Sequence, residues 1–551
     1  VATLRHEVTT IAALHAEVSA GSTEWLTPDD DLRLSVRERE REPDPLDIAI
    51  VGAVTGDVPS LVSPGGITAL DFGDPVAAIN RVTDKLLDGD PTSGEADIVL
   101  ASIHEGAGNG ALSAADNAAA SGAFDDIYRR IDDRVSVIFN GHTHQQYSYA
   151  SANGGRPILQ AKSSAEWLAK VDLVVDTVDG GVCTTTPTII KPGVADESLP
   201  AIKEINDIAR AAYTSALEKG ERVIGTATQA ISTAGDGGSG TRNQESPMTN
   251  TVAQMFADVL GGGDPEVIGV QNAGGTRDSF NAGDITYREA AMTLPFANSL
   301  FTVDLTGAQF TKVLEQQWQR DKEGNVPSRS YLTLGLSKNV SYTFDESLPE
   351  GSRITSVSIN GKPIDPAKLY TIATASFLST GGDNFYEFAN GVNHKDTGRA
   401  DIEAWVEWVE ANSPLSPDYS RRGVSARVPA GTLKAGGPGL TFSFGDVIDE
   451  SATPQTLDMM LNEGDKVSPK LANSTLAAFI GSTQVGAGTV AEGKGSITIS
   501  LPAGSDILAG EHIVTFVAEG SGTRIYLPVT VVAGDSPTTP PVKPGLPSTG
   551  N

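Results

Sequence analysis

Residues 135–144 read V-S-V-I-F-N-G-H-T-H, and this pattern decides how the rest of the chain is interpreted. The apolar, β-branched run at 135–139 predicts a buried strand, and N-G-H-T-H follows directly at its end. In an extended chain, residues two apart point to the same face, so we expect His142 and His144 to converge. Neutral imidazole is a common metal ligand, and α/β sheets carry their sites at strand ends. The stretch therefore predicts a strand that presents two metal ligands.

A second histidine motif has the same placement. S-I-H-E-G at 102–106 closes another apolar run, so His104 also stands at a predicted strand end. Each motif contains a glycine, which permits close backbone approach. Three histidines in polar loops, without any metal, are the alternative interpretation. We favour a metal site at His104, His142 and His144, because a G-H-T-H motif with a second strand-end histidine upstream is much more specific than a lone histidine.

Strands and helices alternate around these motifs. A buried strand predicted from Ile48 precedes the two histidine-bearing strands, and helix-like stretches lie at 75–87 and 122–131. This alternation favours a layered α/β domain. A longer helix is expected next, with Ser198 as its cap, an early proline and Gly220 as its stop. Its apolar stripe consists of Ile202, Ile205, Ala209, Ala212 and Ala216.

At the two histidine motifs the chain resembles the metal-dependent 5′-nucleotidase family, whose first domain is a calcineurin-like metallophosphatase. The resemblance continues through V-G-A-V-T at 51–55 and F-G-D-P at 72–75. It implies two divalent metal ions, Zn²⁺, Mn²⁺ or similar. His104 and His142 would hold one ion, and His144 would help to hold the other. The implied reaction is attack of a metal-activated water on a nucleotide phosphate.

The opening motifs of that family are not found in their expected place before Ile48. They are D-x-H, a G-D that bridges both metals, and G-N-H-[DE], whose His stabilises the transition state. Residues 1–45 do not resemble the family and end in an alternating charge run at 37–42, which is typical of a solvated helix or a disordered arm. We interpret this as an incomplete or misread N-terminus, so no catalytic residue is assigned.

A second α/β domain is predicted at 222–430, and it carries four polar and aromatic motifs. R-N-Q-E-S-P at 242–247 precedes a helix that Ser246 can cap. Q-N-A-G-G-T-R at 271–277 is a glycine-rich turn that ends in arginine, a planar ligand for phosphate or carboxylate. L-P-F at 294–296 and S-F-L-S-T-G-G-D at 376–383 follow. Each motif alone has a structural explanation, as a turn or as core aromatics.

Together and in order, these motifs resemble the second domain of the same family. The resemblance implies that Arg242, Asn272 and Arg277 meet the phosphate or sugar side of the substrate. Phe296 and Phe377 would sandwich the base, for which stacking gives about 1–3 kcal/mol per base. Asp383 would bind the ribose. In this family the second domain rotates to carry substrate to the metals, and the helix at 198–219 sits where that hinge would be.

The C-terminal part has a different pattern. After residues 436–438, short strands are expected at 496–501, 512–518 and 523–532, which suggests an immunoglobulin-like sandwich. The tail is proline-rich and therefore extended. It closes with a motif that resembles the sortase signal L-P-x-T-G, made of Leu546, Pro547, Ser548, Thr549 and Gly550. The resemblance implies a secreted protein joined by sortase to the peptidoglycan of a Gram-positive bacterium. The hydrophobic segment expected after such a signal is absent, so we interpret this end as trimmed.

Composition excludes several classes of partner. The chain has 551 residues, 70 acidic and 40 basic, with a net charge of −30, which repels nucleic-acid polymers and anionic membranes. Its apolar runs are strand-sized, far below the ~20 residues of a membrane helix. A single cysteine, Cys183, excludes an internal disulfide and a C-x-x-C metal motif. The first twenty residues lack the apolar core of a signal peptide.

The predicted fold class is α/β: a partial layered metallophosphatase domain, a second α/β nucleotide-binding domain and a C-terminal all-β immunoglobulin-like sandwich. The predicted segments are 1–45 unplaced, 46–195 metallophosphatase, 196–221 linker helix, 222–430 substrate-binding, 436–534 β domain and 535–551 wall linker. Two functions remain open. The first is metal-dependent hydrolysis of extracellular nucleotides, including 2′,3′-cyclic nucleotides or UDP-sugars. The alternative is a wall-anchored nucleotide-binding or adhesion protein whose metal site has decayed.

Overall fold

The computed structural model describes residues 2–4, 46–61, 67, 69–90, 92, 94–152, 155–176, 181–233, 242–445, 456–463 and 466–533. Apart from residues 2–4, the unplaced segment 1–45 lies outside the described residues. The wall linker 535–551, with the predicted sorting signal Leu546, Pro547, Ser548, Thr549 and Gly550, also lies outside them.

The chain divides into two compact units, which we describe separately. Unit 1 comprises Val1–Ser337, Ala367–Pro417 and Leu461–Val467. Unit 2 comprises Lys338–Pro366, Asp418–Met460 and Ser468–Asn551.

The strands are β1 Ala2–Leu4, β2 Ile48–Val54, β3 Ile98–His104, β4 Val135–Asn140, β5 Gln146–Tyr149, β6 Ile158–Ala161, β7 Leu168–Val175, β8 Val182–Ile190, β9 Val223–Ala227, β10 Ile268–Asn272, β11 Gly283–Thr286, β12 Ser299–Thr306, β13 Leu334–Leu336, β14 Val340–Phe344, β15 Ile354–Ile359, β16 Lys362–Pro363, β17 Leu369–Ala375, β18 Val392–Ala400, β19 Gly423–Arg427, β20 Leu433–Lys434, β21 Leu440–Phe444, β22 Met460–Glu463, β23 Lys466–Pro469, β24 Thr475–Ile480, β25 Thr483–Ala491, β26 Lys494–Ile499, β27 Gly510–Glu519 and β28 Arg524–Val532.

The helices are α1 Val58–Leu61, α2 Pro75–Leu86, α3 Ala114–Ala120, α4 Gly122–Arg130, α5 Pro200–Gly220, α6 Pro247–Leu260, α7 Tyr287–Thr293, α8 Gly307–Glu315, α9 Ser376–Ser379 and α10 Asp401–Asn412, with 3₁₀ turns at Ala273–Gly275, Gly382–Asn384 and Tyr386–Asn390.

The first sheet of unit 1 places the histidine motifs. Its order is β2-β3-β4-β6-β5, and β2, β3, β4 and β6 run parallel. Apolar runs form these strands because a parallel sheet is buried on both faces. Helices α2 and α4 cover the sheet, with Val76, Ile79 and Phe124 almost fully buried. The strands and the two helices predicted for this region are confirmed.

Helix α5 differs from its prediction at both ends. Its N-cap residue is Leu199, which makes no side-chain capping bond, so Ser198 is not the cap. Gly220 lies inside the helix rather than after it. The expected apolar stripe is largely exposed, with Ile205 66% accessible. The apolar stripe correctly predicted a helix, but its side chains are not packed into a core.

A second sheet of unit 1 has the order β13-β10-β17-β12-β18. Helix α6 packs on β10 and β13, and it begins as predicted, because the Ser246 side chain accepts a hydrogen bond from the Thr249 amide and Pro247 follows at the first turn. The core beneath includes Trp405, which is stacked on Phe280 at 5.5 Å between ring centroids. The predicted motifs at 271–277 and 376–383 lie at the ends of β10 and β17, and the motif at 242–247 leads into helix α6.

Unit 2 is built of β strands. Eleven of the described strands follow one hydrogen-bonded order, β16-β15-β14-β19-β21-β26-β25-β24-β27-β28-β20. Phe442, Phe444 and Phe516 pack together in its core. Strands β14 to β16 belong here, although their residues fall inside the predicted segment 222–430. The all-β character agrees with the prediction, and the immunoglobulin-like arrangement stays a prediction.

Candidate metal and nucleotide site

The two histidine loops meet at the carboxyl edge of the first sheet. In the register of β3 with β4, Ile103 is opposite Asn140, so both strands end at the same level. The rings of His104 and His142 then lie 5.3 Å apart between centroids, with their planes inclined by 59°.

The expectation that His142 and His144 share a face of extended chain is wrong. Their φ angles are 65° and 59°, in the left-handed region. Strand β4 ends at Asn140, and the G-H-T-H segment turns after it. The two histidines are therefore brought near one another by a strained turn. Left-handed backbone in non-glycine residues is concentrated at functional sites.

Close backbone contact and a buried polar network hold this turn. A Cβ on Gly141 would lie 3.1 Å from Nδ1 of His104, so any larger residue would crowd that ring. The Thr143 hydroxyl donates to Oε1 of Gln160 at 2.9 Å. The Tyr147 hydroxyl donates to Oδ1 of Asn140 at 2.9 Å. Thr143, the residue between the two histidines, is thereby fixed to Gln160 of strand β6.

Both histidines of the turn are kept neutral. Burial, followed by the nearby Arg329 and His104, lowers the pKa of His142 to about 2. Burial, followed by Arg242, Arg329 and Arg277, lowers the pKa of His144 to about 4. Neutral imidazole is the form that binds metal. Nδ1 of His144 is buried and hydrogen-bonds to no described residue. A buried nitrogen of this kind is suited to binding a metal ion.

Two carboxylates beside the histidines were not predicted. Asp57, Glu105 and His142 offer ligand atoms that all lie within 4.8 Å of one another. Glu105 is 3% exposed and accepts hydrogen bonds from the Thr55 hydroxyl at 2.7 Å and the Gly106 amide at 2.8 Å. Burial raises the pKa of Glu105 to about 7, against the lowering effect of these bonds. Burial and Asp321 raise the pKa of Asp57.

These donors fit a divalent metal, since imidazole and carboxylate are ligands of Zn²⁺ and Mn²⁺. Within the described part of the chain, Asp57, Glu105 and His142 are the one group of three such residues this compact. His104 and His144 are not members of it. A signal for Glu105 was present in the H-E-G sequence, because it directly follows a strand-end histidine.

Arg242 and Arg277 flank the glycine-rich turn after β10. A Cβ on Gly274 would lie 2.9 Å from Nη1 of Arg242, and Nη1 of Arg277 donates to the Gly274 carbonyl at 3.2 Å. Burial lowers the pKa of both arginines, and Arg242 adds to the effect on Arg277. Nε of Arg242 is buried and has no hydrogen-bond partner among the described residues.

Asn272 and Asp383 come together although 111 residues separate them. Nδ2 of Asn272 donates to Oδ2 of Asp383 at 2.6 Å. Asp383 and Asn384 both have left-handed backbone, with φ of 52° and 60°. Nδ2 of Asn384 donates to Oε1 of Gln319 at 2.9 Å, which anchors this turn.

Neither of the two predicted base-stacking aromatics, Phe296 and Phe377, is fully buried. Phe296 is 56% exposed, and the guanidinium carbon of Arg277 lies 5.5 Å from its ring centroid. Phe377 is half-buried. Its ring covers Gly382, where a Cβ would lie 2.6 Å from the ring edge.

Arg329 is a further residue that the sequence did not single out. Its Nη2 donates to the backbone carbonyl of His142 at 3.1 Å. Arg329 and His142 line one cleft with Asp57, Arg242, Gln319, Pro327, Ser328, Leu332, Asp383 and Asn384. The cleft thus joins the histidine turn to Arg242 and to the motif after β17. Nothing in the P-S-R-S-Y sequence around Arg329 indicates this position.

The protein is thus of the α/β class, with a cleft that combines possible metal ligands with arginines. Residues 223–390 match the family described as 5′-nucleotidase, C-terminal domain. The chain is 37% identical over 147 residues to Protein UshA of Salmonella pullorum, which covers 27% of this chain and 24% of that protein. It is 25% identical over 380 residues to Endonuclease YhcR of Bacillus subtilis, which covers 68% of this chain and 28% of that protein.

A solved structure shows the same fold. The 5′-nucleotidase precursor of Thermus thermophilus superposes with a TM-score of 0.54 at 23% identity, over 69% of this chain and 72% of that one. Residues 223–390 therefore carry the C-terminal domain of the 5′-nucleotidase family, and the likeness to these relatives supports the resemblance that the motifs predicted. The chain spans about a quarter of the length of the curated relatives named above.

No helix among the described residues combines the length and the apolar character that a membrane crossing requires.

Proposed function

We propose that this protein binds nucleotides and hydrolyses their phosphate esters with divalent metal ions, as a 5′-nucleotidase. The observation that supports this is the cleft that His142 shares with Arg242 and Asp383. In such a reaction the metal-ligating and the phosphate-binding side chains must face the same phosphate group of the substrate. The negative charge of the whole chain is no obstacle, because two arginines, Arg242 and Arg329, line the cleft itself.

The nucleotide would be held by residues of unit 1. Phe296 and Phe377 stack on the base, for which about 1–3 kcal/mol per base is typical. Asp383, oriented by Asn272 at 2.6 Å, accepts hydrogen bonds from the ribose hydroxyls. Arg242 and Arg277 bind the phosphate through their planar forks.

His104, His142 and His144, with Asp57 and Glu105, would hold the metal ions, Zn²⁺, Mn²⁺ or similar. Such ions, when bound, supply an acidic water and neutralise charge on the phosphate. The chain's own part is to keep the imidazoles neutral and to fix their positions through Thr143, which donates to Gln160 at 2.9 Å.

The choice of substrate and the location are further parts of the proposal. AMP, 2′,3′-cyclic nucleotides and UDP-sugars share the base, ribose and phosphate that these residues would bind. Secretion and attachment to the cell wall by sortase rest on the L-P-S-T-G sequence at 546–550.

The test is binding and hydrolysis by the full chain. AMP and adenosine binding are measured by calorimetry, and phosphate release from AMP is followed with and without Mn²⁺. His142→Ala should abolish metal-dependent phosphate release and leave adenosine affinity within about twofold, because the metal ligand does not contact the base. A chain that binds neither AMP nor adenosine would refute the proposal.

A second candidate is nucleotide binding without turnover. It is favoured by the ligand set among the described residues, because His142 is the one predicted histidine ligand that belongs to the compact group with Asp57 and Glu105. AMP binding with no phosphate release at any Mn²⁺ concentration would support this candidate over the first.

A further inference from the structure

The segment around Arg329 touches both histidine loops. Nη2 of Arg329 donates to the carbonyl of His142 at 3.1 Å. The Ser328 carbonyl lies 2.8 Å from where a Cβ of Gly108 would stand, and Gly108 belongs to the loop that follows His104. This short segment therefore lies against the loops of both β3 and β4, at the edge where the metal ligands gather.

The cleft beside this segment is lined by two arginines and two aspartates. Arg242 and Arg329 line one cleft, and Arg277 reaches the same Gly274 that Arg242 packs against. None of these three arginines forms an ion pair with any residue that the structure describes. Of the two carboxylates that line the cleft, Asp383 accepts a hydrogen bond from Asn272, and Asp57 belongs to the compact group of possible metal ligands. Guanidinium groups that are largely removed from water need an opposite charge.

We propose that Arg329 is a third phosphate-binding residue, which ties the phosphate to the histidine turn. The inference rests on the proposed function. A guanidinium has five N–H donors, and the bond to His142 uses one of them, so the same side chain can also bind a phosphate oxygen. Phosphate contacts of this type are charge-assisted and stronger than neutral hydrogen bonds.

The role of Arg329 differs from that of Arg242 and Arg277. Those two residues flank a turn after β10, on the nucleotide side of the cleft. Arg329 alone among the three bonds to the backbone of a predicted metal ligand. A phosphate held by Arg329 is thus fixed relative to His142, and the site discriminates phosphorylated nucleosides from nucleosides that lack the phosphate.

The test compares AMP with adenosine on the full chain. Arg329→Gln should weaken AMP binding about tenfold to a hundredfold, as expected for one charge-assisted bond, and leave adenosine affinity within about twofold. Arg329→Lys keeps the charge without the planar fork, so we expect an intermediate loss for AMP. Arg210→Gln is the matched control, because Arg210 is 63% exposed and pairs with Glu197.

The outcomes separate the possible roles. Equal loss of AMP and adenosine binding in Arg329→Gln would mean that the residue only supports the fold, and unchanged AMP affinity would also overturn the inference. If Arg329→Gln melts too low to assay, the ratio of AMP to adenosine affinity in Arg329→Lys decides in the same way. A wild-type chain that binds neither ligand refutes the proposed function itself, whereas AMP binding that is insensitive to Arg329 refutes this inference alone.

Discussion

Gln160 shows how single side chains prepare the histidine turn. It is 1% exposed, and its Oε1 accepts from the Thr143 hydroxyl at 2.9 Å. The same oxygen lies 3.2 Å from the Tyr147 hydroxyl, whose single proton it shares with Asn140. Thr143 stands between His142 and His144, both in left-handed conformations. One acceptor therefore restrains a strained turn that would otherwise relax. Residues that orient metal ligands commonly contribute about ten- to hundredfold to metal affinity.

Gln160→Met should lower the affinity for Mn²⁺ or Zn²⁺ by roughly tenfold, because the volume is kept and the acceptor is lost. Calorimetric titration with each metal measures the effect. Gln146→Met serves as the control, since Gln146 is an exposed residue at the start of β5. Metal affinity that is equal in both variants would show that the network does not position the histidines.

Phe296 gives a clean test of base recognition, because its exposure of 56% separates binding from stability. Phe296→Ala should weaken AMP binding about tenfold to a hundredfold through the loss of one stacking face. The melting temperature should change little, because more than half of the side chain is exposed. Met292→Ala, 52% exposed on α7, is the control. Early melting, or AMP affinity like that of the control, would contradict the stacking role.

At the scale of elements, contact between helix α6 and the second sheet depends on glycine. A Cβ on Gly269 of β10 would lie 1.8 Å from the carbonyl oxygen of Ala253, a backbone atom that cannot move aside. On β13, a Cβ on Gly335 would lie 2.6 Å from the Thr249 carbonyl. The helix can lie this close only because both strands lack side chains there. The close packing also fixes the turn after β10, where Asn272 and Arg277 lie.

Gly269→Ala should reduce the free energy of unfolding by about 3 kcal/mol, the upper part of the range for overpacked cores. Urea denaturation followed by tryptophan fluorescence measures the change. Gly122→Ala is the control, because nothing lies within 4 Å of a Cβ at that position. A loss of stability that is no larger than in the control would mean that helix and strand can separate at little cost.

Elements with a strong pattern were predictable from the sequence, and contacts between distant residues were not. The apolar runs that form β3 and β4 and the Ser246 cap were read correctly. The prediction of Ser198 as a cap was wrong, because the presence of a residue that can cap does not ensure that the helix starts beside it. Glu105 and Arg329 were not predicted as site residues, because their roles depend on Asp57 and His142, which only the folded chain brings near. The left-handed turn at His142 has no signal in its sequence beyond the preceding glycine.

At the scale of the molecule, the proposed ligands all bind unit 1. Tryptophan fluorescence can report on the folding of that unit. The chain's five tryptophans are Trp25, Trp167, Trp318, Trp405 and Trp408. Trp167, Trp318, Trp405 and Trp408 fall within unit 1, Trp25 lies outside the described residues, and the ranges of unit 2 contain no tryptophan. Tryptophan fluorescence therefore follows the unfolding of the unit that carries the cleft, without a contribution from the β-sheet unit.

AMP at about a hundred times its Kd should raise the free energy of unfolding of unit 1 by about 2.7 kcal/mol, because a ligand that binds only the folded state stabilises it by mass action. The tryptophan transition in urea should shift accordingly. In Phe296→Ala, at the same AMP concentration, a tenfold weaker affinity should leave a gain of only about 1.4 kcal/mol. The comparison removes non-specific effects of AMP, since both proteins meet the same solution. An equal shift in the two proteins would place AMP somewhere other than against Phe296, and no shift in the wild type would mean that unit 1 does not bind the nucleotide.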